Sequence, residues 1–184
     1  MTKQEARAAA RALWRQFDAD ALRRQGAAMA EALLAQGAWQ QADAVFCFVP
    51  MPTEPDLTPV LAAALRAGKP LYVPRVVDRA GRMLAVRIAS LESLAPAPPY
   101  GLLEPPGDAP GVGPEFFGPR ALAVIPCLAC SQSGVRLGRG GGYYDRFLAH
   151  YKGVRRLACP PALRLPNLPA ESWDARFGKD ELLP

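Results

Sequence analysis

What this chain lacks narrows its chemistry first. Histidine occurs once, at His150, and cysteine four times, at Cys47, Cys127, Cys130 and Cys159, in 184 residues. One imidazole offers no Ser–His pair, and His150 stands at the end of an expected helix, where it reads as a C-terminal helix charge rather than a base. The cysteine spacing does not resemble a secreted disulfide framework, and a chain of this length does not need one. Cys127-x-x-Cys130 lacks the further ligands that zinc takes. A redox dithiol would begin a helix, whereas this pair runs into Ser131 and a glycine loop. The two read as small buried thiols. No window approaches the roughly 18–20 unbroken apolar residues of a membrane span. The opening "MTKQEARAAARALWRQF" is charged and periodic, with no apolar segment ending in a cleavage site, so a cytoplasmic protein is expected. Internal repeats and a low-complexity tail are absent. So are the G-x-x-x-x-G-K-[ST] phosphate loop and a G-x-G-x-x-G at the head of the right βαβ unit.

The composition that remains is that of a globular chain. Apolar residues make up 50 %, and the length suits one domain spanning 1–184. A formal charge of +5 fits either an arginine-rich composition or a polyanionic ligand such as a nucleotide, polyglutamate or nucleic acid. Nucleic-acid binders usually add aromatic platforms or basic clusters along one face. Here the basic residues are dispersed, except around one glycine loop.

Periodicity predicts two helices in the first 37 residues: one with Ala8, Leu13 and Phe17 at helical spacing, then one capped at Asp20 and stopping at Gly37. "AVFCFVP" (44–50) and "PLYVPRV" (70–76) read as strands flanking a helix over 57–68, a βαβ unit with parallel strands. "RMLAVRI" (82–88) is a further strand, and 95–119, dense in proline and glycine, is expected to be a mostly irregular connection. "ALAVIP" (121–126), the glycine loop, a helix from Tyr143 to His150 and "VRRLACP" (154–160) complete a second strand–loop–helix–strand series. The expected fold class is α/β: a single three-layer domain with a mostly parallel central sheet and helices on both faces.

"GVRLGRGGGYYDRFL" (134–148) is the least ordinary stretch. Successive backbone N–H groups in a glycine-rich turn make an anion-binding concavity, and a following helix N-terminus adds partial positive charge. Arg136 and Arg139 can donate charge-assisted hydrogen bonds to phosphate oxygens. Gly140, Gly141 and Gly142 let the chain approach a ligand without a Cβ in the way. Asp145, in the first helical turn, is placed to hold a magnesium ion that bridges phosphates. Together these parts describe a Mg-nucleotide site.

"RLGRGGGYYDRFL" also closely resembles the signature of the 5-formyltetrahydrofolate cyclo-ligases, also called 5,10-methenyltetrahydrofolate synthetases. The resemblance runs nearly end to end: "KQEAR" matches an N-terminal Lys-x-x-x-Arg, and "FVPMPTEPDL" a strand followed by a substrate-contacting glutamate. "LYVPRV", "PYGLLEP" and "IPCLACSQSGVRLGRGGGYYDRFL" follow in the family's order, and "LPAESWD" matches its closing Pro-x-x-x-x-Asp. The chain departs from the family pattern where Leu57 replaces a threonine after Asp56, and where Trp173 replaces a small polar or imidazole side chain. A glutamine often found before the closing element is missing.

The resemblance implies ATP- and Mg-dependent ring closure of 5-formyltetrahydrofolate, including its polyglutamylated forms, to the 5,10-methenyl product. Phosphorylation of the formyl oxygen would come first, then attack by N10 and release of phosphate; ADP is the other product. It implies Lys3, Arg7, Arg136, Leu137, Gly138, Arg139, Gly140, Gly141, Gly142, Tyr143 and Tyr144 as ATP contacts. Met51, Glu54, Arg139, Tyr143 and the three consecutive glycines would contact the folate, with Glu54 at the pterin's amino–imino edge. Arg139 and Tyr143 carry the catalytic expectation, and Asp145 and Asp174 are the magnesium carboxylates. By spacing alone Asp174 looks like a C-terminal surface acid. No nucleic-acid or membrane partner is expected, and the protein is taken as a monomer. A non-catalytic nucleotide or folate binder and an Arg–Gly-loop nucleic-acid module are the alternatives.

Overall fold

A computed structural model describes residues 1–184. The chain opens with three helices on one another's heels, α1 (Lys3–Trp14), α2 (Ala19–Leu34) and α3 (Gly37–Gln41), before β1 (Val45–Cys47), α4 (Thr58–Arg66), β2 (Leu71–Val76) and β3 (Met83–Ile88). The connection that follows holds β4 (Ala95–Ala97), β5 (Leu102–Glu104) and β6 (Gly111–Val112). Next come β7 (Leu122–Pro126), β8 (Ala129–Ser131), β9 (Arg136–Leu137), α5 (Tyr143–Leu148), β10 (Val154–Ala158), β11 (Arg164–Leu165) and β12 (Leu182–Leu183).

Seven strands form the central sheet in the order β12-β10-β7-β1-β2-β3-β6. The five from β12 to β2 run parallel, and β3 and β6 add antiparallel edges. The predicted βαβ unit is present: Val45 pairs with Leu71 and Phe46 with Tyr72, parallel, across α4. Strands buried on both faces need apolar residues in both directions. Accordingly, Phe46, Ala123 and Ile125 face a core shared with α1 and α5, and Val45, Leu122 and Val124 face one shared with α2, α3 and α4. Helices on both faces of a mostly parallel sheet give the expected three-layer α/β architecture.

The departures from the sequence reading are local and have physical causes. The buried stripe of α1 is Ala6, Ala10 and Trp14, whereas Ala8 is exposed. Small side chains let α1 lie close to the core, and Trp14 Nε1 donates to the Leu128 carbonyl at 2.8 Å. α2 is capped by Asp18, not Asp20: the Asp18 carboxylate accepts the Ala21 N–H at 2.7 Å. α2 stops at Leu34, and Gly37 opens α3 instead of ending a helix. The stretch 95–119 is not wholly irregular, since β4 and β5 make an antiparallel hairpin and β6 extends the sheet beyond β3. A second, three-stranded sheet, β11-β8-β9, went unpredicted; it contains Cys130 and the start of the glycine loop. α5 ends at Leu148, leaving His150 exposed beyond it.

Candidate active site

The glycine loop leaves β9 and enters α5. Gly140 and Gly142 have φ of 114° and 70°, a left-handed backbone that other residues adopt only with strain. At Gly142 a Cβ would also lie 2.4 Å from the Arg146 guanidinium. α5 is only six residues long, so side-chain cations rather than a helix dipole supply most of the local positive charge.

This loop is the common wall of two cavities. The first, about 520 Å³, is lined by Lys3, Arg7, Arg136 and Arg146 against only Asp145 and Asp174 among charged groups. The second, about 410 Å³, is bounded by apolar side chains with Glu54, Glu104, Tyr143 and Tyr144 among them. Arg136, Gly138, Gly142 and Asp145 border both. Four cations against two carboxylates suit a polyanion on one side. An apolar enclosure with a few polar groups suits a flat organic ring on the other.

The structure brings Lys3 and Arg7 to the first cavity, one turn apart on α1. Arg7 Nε donates to the Gly138 carbonyl at 3.0 Å, which ties the first helix to the glycine loop. Lys3 Nζ reaches Asp174 at 2.7 Å. Asp174 is no surface acid: its side chain is only 7 % exposed, and the Glu171 N–H donates to it at 2.6 Å. Its position follows from the segment around it, because Phe177 N–H donates to Gly134 O and Val135 bridges Arg176 beside the loop. Thirty residues of chain therefore return to the glycine loop. Asp145 Oδ1 accepts from Ala175 N–H and from Arg136 Nη1, both at 3.4 Å, and its Oδ2 has no protein partner.

Arg136 and Leu137 are buried in β9. Arg136 Nε donates to Pro126 O at 3.1 Å, and its guanidinium lies 5.3 Å from the Tyr144 ring centroid. It is thus a pillar between the cavities more than a free phosphate hand. Arg139 faces the second cavity, not the first, and donates to Glu54 Oε1 at 3.0 Å. Glu54 is 6 % exposed and takes the Met51 N–H at 3.1 Å on its other oxygen, so Met51 and Glu54 form one tight turn after β1. Gly141 also lines the second cavity, while Gly140 lines the first.

The two tyrosines are neutral, and Tyr143 is a hydrogen-bond donor. Tyr143 OH donates to Asp78 O at 2.9 Å and meets the Tyr100 hydroxyl at 3.2 Å. Its phenol is pushed up to about 12 by burial first, then by the Tyr100 hydrogen bond. Burial pushes the Tyr144 phenol up further, helped by the charge of Glu54. All four cysteines are free and buried. Burial raises the thiols of Cys47 and Cys127, and that of Cys130 to about 11, so they are neutral and unreactive. Sequence reasoning missed Tyr100, which meets Tyr143 from the hairpin, and Glu104, buried at the end of β5. Both sit within "PYGLLEP", where nothing in spacing or residue type sets them apart.

Comparison with known proteins gives the family. A model of the 5-formyltetrahydrofolate cyclo-ligase family matches residues 1–178. The 5-formyltetrahydrofolate cyclo-ligase of Mycolicibacterium smegmatis is 33 % identical over 136 residues, covering 71 % of this chain and 68 % of that protein. The mitochondrial 5-formyltetrahydrofolate cyclo-ligase of Arabidopsis thaliana is 37 % identical over 121 residues, 63 % of this chain but only 42 % of that longer protein. Among solved structures, Aquifex aeolicus 5,10-methenyltetrahydrofolate synthetase superposes with a TM-score of 0.79 at 26 % identity, covering 96 % of this chain and 87 % of its own. The Mycoplasma pneumoniae 5,10-methenyltetrahydrofolate synthetase, at 14 % identity and a TM-score of 0.72 over 100 % of this chain and 98 % of its own, shares the fold. The chain belongs to the 5-formyltetrahydrofolate cyclo-ligase family, the enzymes that take 5-formyltetrahydrofolate to 5,10-methenyltetrahydrofolate.

Proposed function

We propose that this chain closes 5-formyltetrahydrofolate to 5,10-methenyltetrahydrofolate at the expense of ATP, with the nucleotide phosphates in the cation-lined cavity and the folate in the apolar one. The observation that carries this reading is the shared wall. Where Gly138 and Gly142 form that wall, no side chain stands between a phosphoryl group and its acceptor oxygen. In that scheme the γ-phosphoryl group passes from ATP to the formyl oxygen, leaving ADP. N10 then attacks the activated carbon and gives up its proton to solvent, and the C–O bond breaks to release phosphate. Such transfer asks for positioning and charge neutralisation rather than a protein nucleophile. That suits a site in which burial holds the Cys127 thiol and the Tyr143 and Tyr144 phenols neutral.

Lys3 and Arg7 would hold the phosphates, and the loop N–H groups would orient them. Arg139, anchored by Glu54, would stand on the folate side, close to where the formyl oxygen gains charge. Tyr143 would donate from the same side.

Asp145 and Asp174 offer hard oxygen donors on one cavity wall, Asp145 Oδ2 being free. No group of three or more His, Cys, Asp or Glu gathers to hold an ion unaided. That donor set fits Mg²⁺, which takes one or two carboxylates and completes its shell with phosphates and water. Bound there, the ion would neutralise phosphate charge during transfer.

The test is direct: 5-formyltetrahydrofolate, ATP and magnesium are incubated with the protein and the methenyl product is followed by its near-ultraviolet absorbance. Product that depends on all three supports the scheme. Binding of both ligands without product leaves a non-catalytic binder, and tight, salt-sensitive oligonucleotide binding in place of either would return the Arg–Gly loop to nucleic acid.

A further inference from the structure

Three carboxylates border the apolar cavity; Asp145 belongs to the wall shared with the first, and the circumstances of the other two, Glu54 and Glu104, differ. Glu54 is neutralised by Arg139, and both of its oxygens already accept hydrogen bonds. Glu104 is 5 % exposed and has no ion-pair partner. One oxygen, Oε1, takes the Val76 N–H at 3.1 Å, and the other has no protein donor. Arg75 offsets the charge only in part, because its Nη1 is held by the carbonyls of Pro106 and Ala109 at 2.9 and 2.6 Å. Burial outweighs both the Val76 hydrogen bond and Arg75, and holds this carboxyl above the usual carboxylate range. Its free oxygen is not sealed off, since Tyr151 OH is the one fully buried side-chain polar atom without a partner, and Glu104 lines the cavity, where a ligand donor can meet that oxygen.

We infer that Glu104 is a second substrate-binding residue, whose free carboxyl oxygen accepts the 2-amino group of the reduced pteridine. The inference rests on the proposed function, since it needs a folate in this cavity. The 2-amino group is a neutral donor, which a carboxyl lacking a cation can take without another buried charge. Glu54, by contrast, acts on the folate chiefly through the arginine it holds. The 2-amino edge is thereby read from the β4–β5 hairpin, and the glycine loop is left to the reacting end of the ligand.

The competing explanation is structural: Glu104 merely pins the hairpin to the end of β2 through Val76. Glu104→Gln separates the two, because the amide oxygen still accepts the Val76 N–H while the free position becomes an NH₂ donor facing the ligand. Dissociation constants are measured for 5-formyltetrahydrofolate, its 2-desamino analogue and ATP, on parent and variant, with melting temperatures alongside. The expected result is a ten- to hundredfold loss for the natural folate, as for a lost charged hydrogen bond. Little change is expected for the analogue or ATP, and the melting temperature should hold. Equal losses for both folates, or no loss for either, overturns the assignment while leaving the cavity's occupant intact. A parent that binds ATP but no folate overturns the reading of the cavity itself.

Discussion

The two cavities beside the glycine loop are built on different principles. Around the cation-lined one, most charges are held by partners remote in sequence: Lys3 on Asp174, Arg7 on the Gly138 carbonyl, and Asp145 on Ala175 as well as on Arg136 nearby. Around the apolar one, a hairpin and a turn close over a mostly hydrophobic space, and the polar groups are few and individually placed. The first therefore recognises charge and should fail gradually as members of its network are lost. The second recognises shape and donor pattern, so single changes there should discriminate between ligands. Breaking that contrast is the way to test it.

The largest effect should come from removing the divalent ion. With magnesium chelated, product formation should fall to background while folate binding persists, measured by equilibrium binding in the same buffer. Undiminished turnover under chelation would remove Asp145 and Asp174 from any metal role.

Next in size is Asp174→Asn. The substitution keeps an oxygen but releases Lys3 from a largely buried carboxylate, so turnover should drop ten- to hundredfold. Raised magnesium should restore part of it. Because Lys3 is partly solvated, the loss of stability should be about 1 kcal/mol. A magnesium titration at saturating ATP checks this, with Arg139→Ala as the contrast: that residue lies on the folate side, so its defect should not respond to the metal. Identical titration curves for the two variants would erase the distinction between the cavities.

Much of this arrangement was legible in the sequence, and what escaped did so for physical reasons. Continuous apolar runs marked the buried strands, because parallel strands covered on both faces need hydrophobic residues throughout. Glycines and arginines marked the loop because close approach and charge demand those residue types. Asp174 was reachable only by resemblance: its neighbourhood is made by a C-terminal segment with no periodicity, which docks on β9 through backbone hydrogen bonds that leave no side-chain signature. Glu104 escaped for a related reason, since a three-residue pairing within a proline-rich connection carries too little pattern to be read as a hairpin. The cap at Asp18 rather than Asp20 shows the same limit, as both are good caps and only the chain's exit from α1 decides between them.

Glu54→Gln should be milder than Asp174→Asn. It releases Arg139 from its anchor, and folate affinity should fall about tenfold while ATP affinity holds. Because this effect runs through Arg139, the loss should be alike for 5-formyltetrahydrofolate and its 2-desamino analogue, unlike that of the Glu104 variant. Smaller still, Cys127→Ala with Cys130→Ala should keep activity within a few-fold. Any loss should be traceable to the cavities left by two buried thiols, and the purified protein should contain no stoichiometric zinc by metal analysis.

The smallest effect lies at the alkaline edge and concerns Tyr143, which stands on the folate side of the loop. Its phenol is pushed up to about 12 in the folded chain, against about 10 when unfolded. The folded state therefore holds the phenolic proton more tightly than the unfolded one. The stability this contributes is fully present below pH 10 and is lost as pH rises from there through the folded value. Tyr144 and Tyr151, whose phenols burial also raises, add to the same slope. Melting temperatures measured from pH 8 to pH 12 should thus fall beyond pH 10 in the parent, and fall less steeply in Tyr143→Phe. At pH 8 the variant should lose only the hydrogen bonds to Asp78 and Tyr100, about 1 kcal/mol. If Tyr143 is a neutral donor to the folate, turnover of the parent should show no inflection from it between pH 7 and 9. A gap between parent and variant that stays constant from pH 8 to pH 11 would mean that the Tyr143 phenol titrates as freely in the folded chain as in water.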